Sequence, residues 1–153
     1  MAKFLEKNLR DWLRAVWAKS PRRGELGLRW IEPASGSTVG DPDVLVPMGG
    51  RLVPVELKLG RLVPGGSVVP MGVRPAQRRY HHQARKAGID TAYLVAVVDD
   101  EGDYFDVHLV PGNYEDYLNP PHAIVSFAEK REPKVNSCLF LTKLEAALGK
   151  FYH

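Results

Sequence analysis

The sequence has a single cysteine, Cys138, among its 153 residues. An internal disulfide needs two and a cysteine-rich zinc site needs more, so neither is available, and a reducing, cytoplasmic setting is expected. No apolar run reaches the roughly 18 residues that a membrane-spanning helix requires. The opening residues, MAKFLEKNLRDW, lack the apolar stretch of a signal peptide, so no membrane partner is expected. Internal repeats and low-complexity tracts are also missing. What the chain does have is apolar material, 44% of its residues, enough to pack a core and to argue against disorder. At this length we expect one domain, 1–153.

Charge of one sign is scarce in particular places. The net charge of +3 is mild, but residues 1–30 carry eight Lys/Arg against three acids and residues 73–90 carry five against Asp90. Residues 99–120 hold seven acids and no Lys or Arg. Such zoning fits a chain that turns one face to a polyanion, and it fits an ordinary solvated surface equally well.

Apolar spacing predicts the elements. Leu5, Leu9, Trp12, Leu13, Val16 and Trp17 recur at helical intervals, so residues 4–18 read as an amphipathic helix ended by Pro21 and Gly24. Leu26–Ile31 reads as a strand, followed by two β-rich runs, Asp43–Pro47 and Leu52–Leu59. Pro75 suits the first turn of a second helix that runs to about Lys86 and ends at Gly88, with Ala76, Tyr80, Ala84 and Ala87 on its core side. Thr91–Val98 has almost no polar break and should be a central, buried strand. Tyr104–Val110 and Ala123–Phe127 read as strands, 113–118 as a short helix and Leu141–Lys150 as a final helix. The order implies a mixed α/β sheet with helices packed on it.

The stretch GDPDVLVPMGGRLVPVELK, residues 40–58, carries the chemistry. With Gly49-Gly50 as a tight turn, Val46 faces Val53, Val44 faces Val55 and Asp43 faces Glu56. Alternation then sets the four valines on one face and Asp43, Glu56 and Lys58 on the other. Opposed carboxylates about 5 Å apart, at an effective dielectric of about 20, repel by roughly 3 kcal/mol. A divalent cation reverses that sign, and Mg²⁺ takes oxygen ligands of this kind. The alternative is that both acids lie at frayed strand ends, with Lys58 pairing Glu56. Pro47 and Pro54 also leave room for a bulge that would shift the register.

Gly40-Asp41-Pro42-Asp43, a strand and then Glu56-Leu57-Lys58 resembles the PD-(D/E)xK nuclease superfamily motif. With RPAQRRYHHQARKAGIDTAYLVAV following, the chain is similar to VRR-type nucleases and Holliday-junction resolvases, over about residues 37–98 and more weakly the first helix. The resemblance implies a restriction-endonuclease-like mixed β-sheet core, αβββαβ, in about residues 1–98, with a C-terminal extension over about 99–153. It implies a metal-dependent endonuclease that hydrolyses phosphodiester bonds in DNA, with branched DNA as the expected substrate, working as a homodimer. A compact chain of this kind suits a phage or another mobile element.

The same resemblance implies roles. Asp43 and Glu56, with the Leu57 backbone carbonyl, would hold Mg²⁺ or Mn²⁺. Lys58 would orient or deprotonate the attacking water. Gln77 would meet the site or the nucleic acid, unless it is a surface glutamine at a helix start. Glu6 either completes a three-acid cluster or pairs with Arg10 one turn on. Asp41 adds a second acid beside the motif and leaves open which of the two is the ligand. Arg74, Arg78, Arg79 and Arg85 give the second helix a basic side that could line a groove for DNA, and Arg22 and Arg23 are similar candidates. His81 and His82 point about 100° apart on a helix, so phosphate contact or plain exposure suits them better than a shared ion. The rival expectations are a nucleic-acid-binding module without turnover and a nuclease acting on RNA.

Overall fold

Leu9, Trp12, Leu13, Val16 and Trp17 form the buried stripe of helix α1, Glu6–Ala18, and through them the helix lies on a β-sheet. In the computed structural model the described residues are 6–18, 27–31, 40–48, 50–61, 69–70, 72–98, 104–112, 117–118 and 125–130. A 13-residue helix is marginal on its own. Full burial of a large apolar side chain contributes about 1.5–3 kcal/mol, so this stripe, rather than helix propensity, holds α1 in place.

The strands are β1 (Arg29–Trp30), β2 (Val44–Met48), β3 (Arg51–Arg61), β4 (Val69–Pro70), β5 (Ala92–Val98), β6 (Tyr104–Pro111), β7 (Tyr117–Leu118) and β8 (Val125–Lys130), and the second helix is α2 (Pro75–Lys86). The main sheet has the order β1-β2-β3-β5-β6-β8. Only β3 and β5 are parallel. A parallel pair needs a crossover, and α2 lies on that connection. Every residue of β5 is buried, as its unbroken apolar run predicts.

The β2–β3 hairpin has the register that a Gly49-Gly50 turn dictates: Met48 with Arg51, Val46 with Val53 and Val44 with Val55. Gly50 adopts a φ of 77°, which a tight hairpin turn asks for. Neither proline shifts it. Pro47 pairs with Leu52 and Pro54 with Leu45. Counting from the turn, both fall at non-hydrogen-bonded positions, where the missing N–H points away from the partner strand. On the far side of β3 the pairing with β5 begins at Val55, one residue beyond Pro54.

Alternation divides the core. Val44, Val46, Val53, Val55 and Leu57 join α1, together with Ala92, Leu94, Ala96, Val107 and Leu109. Tyr93, Val95, Val97, Val110 and Val73 form a second cluster on the opposite face, towards α2. β6 is therefore part of the same sheet and core, because it covers the free edge of β5 and shares both clusters.

Some sequence expectations shift. The expected strand over 26–31 is described as Arg29–Trp30, and the one over 123–127 as Val125–Lys130. Tyr117 and Leu118, expected in a short helix, instead pair antiparallel with Pro70 and Val69. The final helix expected at 141–150 lies outside the described residues, as do Arg22 and Arg23. The buried positions of α2 are Gln77, His81 and Ala84 rather than an alanine-rich side, and Ala87 is exposed. The reason is that this helix faces polar side chains of the sheet.

Gly40 joins the hairpin to α2. Its φ is 104°, and a Cβ there would stand 2.5 Å from the Ala76 carbonyl oxygen. Gly50 also has positive φ but open space around it. We predict that Gly40→Ala lowers the urea midpoint more than Gly50→Ala does. The backbone conformation alone costs about 1–2 kcal/mol in either variant, and only Gly40 adds a clash. Equal losses would contradict this close approach.

Candidate functional site

Glu56 and Lys58 alternate out of β3 on the face opposite Val55 and Leu57, in register with Tyr93 and Val95 of β5. Both are charged residue types, yet only 3% of Glu56 and 4% of Lys58 is exposed. Ions so buried need partners. Glu56 Oε1 accepts a hydrogen bond of 2.7 Å from Gln77 Nε2. Gln77 Oε1 in turn accepts the Arg74 amide N–H at 3.0 Å. The two contacts fix the orientation of the Gln77 amide, since the opposite one would face acceptor with acceptor and donor with donor. Local sequence explains the placement: Pro75 opens α2, Arg74 caps it in extended conformation, and Gln77 falls on the first turn, where its side chain can reach back. Lys58 Nζ donates to the Gly72 carbonyl at 3.3 Å. Glu56 Oε2 is buried and has no hydrogen-bond partner among the described residues.

Asp43 arrives from the end of β2. The ladder closes at Val44–Val55, and Asp43 is not a ladder residue. Its carboxylate instead occupies the place of the next rung: Oδ2 accepts the Leu57 amide N–H at 2.8 Å. The Asp43 carbonyl accepts from Ile31 N–H at 2.9 Å, which ties the residue to the edge strand. Oδ1 lies 3.5 Å from the Arg10 guanidinium of α1. Asp43 thus lies at the end of β2 beside Glu56, near enough for its charge to act on the Glu56 carboxyl.

The electrostatics follow from this crowding. Burial pushes the Glu56 carboxyl up to about 9, and the adjoining Asp43 carboxylate adds to the effect. Lys58 opposes the shift, and Glu6 contributes a smaller push in the same direction. Without a cation, Glu56 therefore holds a proton at neutral pH. Tyr80, half-buried, is raised by desolvation and then by the charges of Asp41 and Glu56.

Asp43, Glu56, Lys58 and Gln77 come together as expected from the sequence. Leu57 takes part through its amide, and its side chain lies in the core. Asp41 is exposed, and Asp43 is the acid beside Glu56. Glu6 is exposed, and Arg10, its expected alternative partner, is instead at Asp43. Among the described residues no three His, Cys, Asp or Glu side chains converge. Arg74 and Arg78 are exposed, as are Arg79 and Arg85.

His81 corrects the sequence reading. It is 3% exposed, so it is neither a surface group nor a phosphate contact. Its Nδ1 lies 2.6 Å from Thr91 Oγ1 and its ring rests 4.3 Å from that of Tyr93, centroid to centroid. Burial and then the Lys58 charge lower it to about 4, so the ring is neutral at physiological pH. Sequence reasoning also missed Arg10 as the partner of Asp43. The available signal was that Arg10 borders the buried stripe of α1.

The two shifts have opposite effects on stability. Folded Glu56 keeps its proton up to about 9, whereas the reference value is 4.5, so stability falls as pH rises through that window. Folded His81 resists protonation down to about 4 against a reference of 6.5, so its contribution is present above 6.5 and lost as pH falls towards 4. Of these two groups only Glu56 acts between 6.5 and 9. We predict that, in EDTA, the urea midpoint of the wild type falls from pH 7 to pH 9 and that Glu56→Gln removes most of this fall. Parallel curves for the two proteins would contradict the assignment.

Comparison of the chain with protein-family models, with curated proteins and with solved structures finds no match.

Proposed function

We propose that this chain is a divalent-metal-dependent nuclease that hydrolyses phosphodiester bonds in DNA, with Asp43 and Glu56 as the metal-holding acids. The observation that carries the reading is the meeting of Asp43, Glu56, Lys58 and Gln77 from the end of β2, from β3 and from α2, around a buried Glu56 oxygen with no partner among the described residues. With the two-residue β4 set aside in the small second sheet, the order α1-β1-β2-β3-α2-β5 accords with the αβββαβ core of restriction-endonuclease-like nucleases and supports the same reading. The Gly-x-Pro-Asp, Glu-x-Lys and Gln-helix motifs support it from the sequence side.

The donor set fits a hard cation. Two adjacent carboxylates supply oxygen ligands, one oxygen is buried and unpartnered, and the repulsion between the acids is relieved by positive charge. Asp43 and Glu56 would hold Mg²⁺ or Mn²⁺, with the Leu57 carbonyl as the further ligand that the family resemblance implies. Such an ion supplies an activated water and neutralises charge on a phosphate.

The chain's own residues do the rest. The Leu57 amide fixes one Asp43 oxygen, and Arg10 lies beside the other. Gln77 holds Glu56 by one oxygen and leaves the second available. Lys58, two residues from Glu56 and on the same face of β3, carries a nearly buried ammonium. There it orients the attacking water and offsets the negative charge that develops on the phosphate. Branched DNA is the preferred substrate, because no familiar base-reading module accompanies the motif, and a homodimer would bring two sites to two strands.

A cleavage assay tests this. Labelled four-way junction, duplex, single-stranded DNA and RNA are each incubated with Mg²⁺, Mn²⁺ or EDTA. We predict metal-dependent cutting of DNA, lost in EDTA and reduced about 10²-fold or more by Lys58→Ala, the size of effect seen when one charge-stabilising group is removed. Binding without cutting under every metal would instead favour a non-catalytic nucleic-acid-binding module, and cutting confined to RNA would reassign the substrate.

A further inference from the structure

Helix α1 carries Lys7, Arg10 and Arg14 at intervals of three and four residues, within an arc of about 60°. Arg10 and Arg14 both lie over the same indole: their guanidinium carbons stand 5.2 Å and 4.6 Å from the centroid of the Trp30 ring. Trp30 is half-buried and packs against the core shared by α1 and the sheet. Its ring therefore serves as a fixed platform for the two guanidinium groups. A guanidinium stacked on an aromatic face loses little further freedom when its N–H fork meets an anion.

Two cations over one ring repel each other, and the acids nearby compensate them weakly. Arg10 lies 3.5 Å from Asp43 Oδ1, and Arg14 lies 3.9 Å from Asp11 Oδ1; both are long contacts at part-exposed side chains. Lys7 is exposed on the same stripe. The pair is thus held in place and reaches solvent, and among the described residues each guanidinium has one acid at long range. Arg10 also joins the stripe to Asp43, one of the acids assigned above to the metal. A phosphodiester backbone supplies further negative charge for the two guanidinium groups, and Arg10 places that charge next to Asp43.

We propose that Arg10 and Arg14, stacked on Trp30, form a phosphate-binding subsite for the DNA backbone that adjoins the Asp43–Glu56 centre. The subsite reads charge rather than base identity, since the groups that would meet DNA here are the two guanidinium groups over the Trp30 ring. This inference rests on the nuclease reading for its choice of ligand, and its test is separable from cleavage.

The test is fluorescence anisotropy of labelled duplex DNA with the full chain in EDTA, across a series of salt concentrations. Arg14 is exposed, so Arg14→Gln should leave the melting temperature near that of the wild type. We expect Arg14→Gln to weaken binding and to make the slope of log affinity against log salt shallower by about 0.9, the value for one lost phosphate contact on duplex DNA. Arg14→Lys should retain the slope, because it keeps the charge. An unchanged slope and affinity in Arg14→Gln would overturn the subsite, as would a wild type that binds no DNA. Metal-dependent cleavage by a protein whose slope is insensitive to Arg14 would remove this inference and leave the nuclease reading standing. A shallower slope in Arg14→Gln, without cleavage under any metal, would keep the subsite and remove the nuclease reading.

Discussion

A carboxyl group almost wholly removed from water, beside a second carboxyl group, is the constraint around which this protein is organised. Glu56 is on a strand covered on both faces, and Asp43 is brought against it from the end of the neighbouring strand. Taken alone, the arrangement is unfavourable: burial and like charge both act against ionisation. The surrounding residues make it tolerable. Gln77 donates to one Glu56 oxygen, the Leu57 amide binds Asp43, and Lys58 places a positive charge on the same face. A fold selected only for stability would gain from an apolar residue at position 56.

The two helices divide the work of building this centre. α1 covers one face of the sheet with an apolar stripe and turns Arg10 towards Asp43. α2 lies over the opposite face and turns Gln77 towards Glu56. The connection leading into the hairpin passes close to the start of α2, where Gly40 meets the Ala76 backbone. Strand end, central strand and helix start are thereby held in one frame. Asp43, just beyond the last rung of the β2–β3 ladder, is the residue that meets both Arg10 of α1 and Glu56.

Much of this frame was legible in the sequence because it rests on local rules. The Gly49-Gly50 turn fixed the register of the hairpin, and the unbroken apolar run before Asp99 marked the central strand. Pro75 and Gly88 bracketed α2 within a residue or two. The failures have a common cause, which is that alternation and helical spacing say which way a residue points and not what it meets. Asp43 was expected across from Glu56 and lies beside it, but the ladder stops at Val44 and the Asp43 side chain, not a backbone carbonyl, meets the Leu57 amide. Of Ala76, Tyr80, Ala84 and Ala87, expected on the inner side of α2, Ala84 is buried and Ala87 is exposed, and because the sheet beneath carries Glu56 and Tyr93, Gln77 and His81 are buried there as well. His81 read as a surface group because its partner, Thr91, is ten residues away on the other side of a turn. The Arg10 contact depended on how α1 sits over the sheet, which no local pattern encodes.

The central claim is that Asp43 and Glu56 together hold one divalent ion. Electron paramagnetic resonance of Mn²⁺ titrated into the metal-free protein measures this without reference to any substrate. The account predicts that the wild type takes up one Mn²⁺ per chain and that Asp43→Asn and Glu56→Gln, while still folded, each lose that uptake. Equal Mn²⁺ uptake by all three proteins, or none by the wild type, would contradict it.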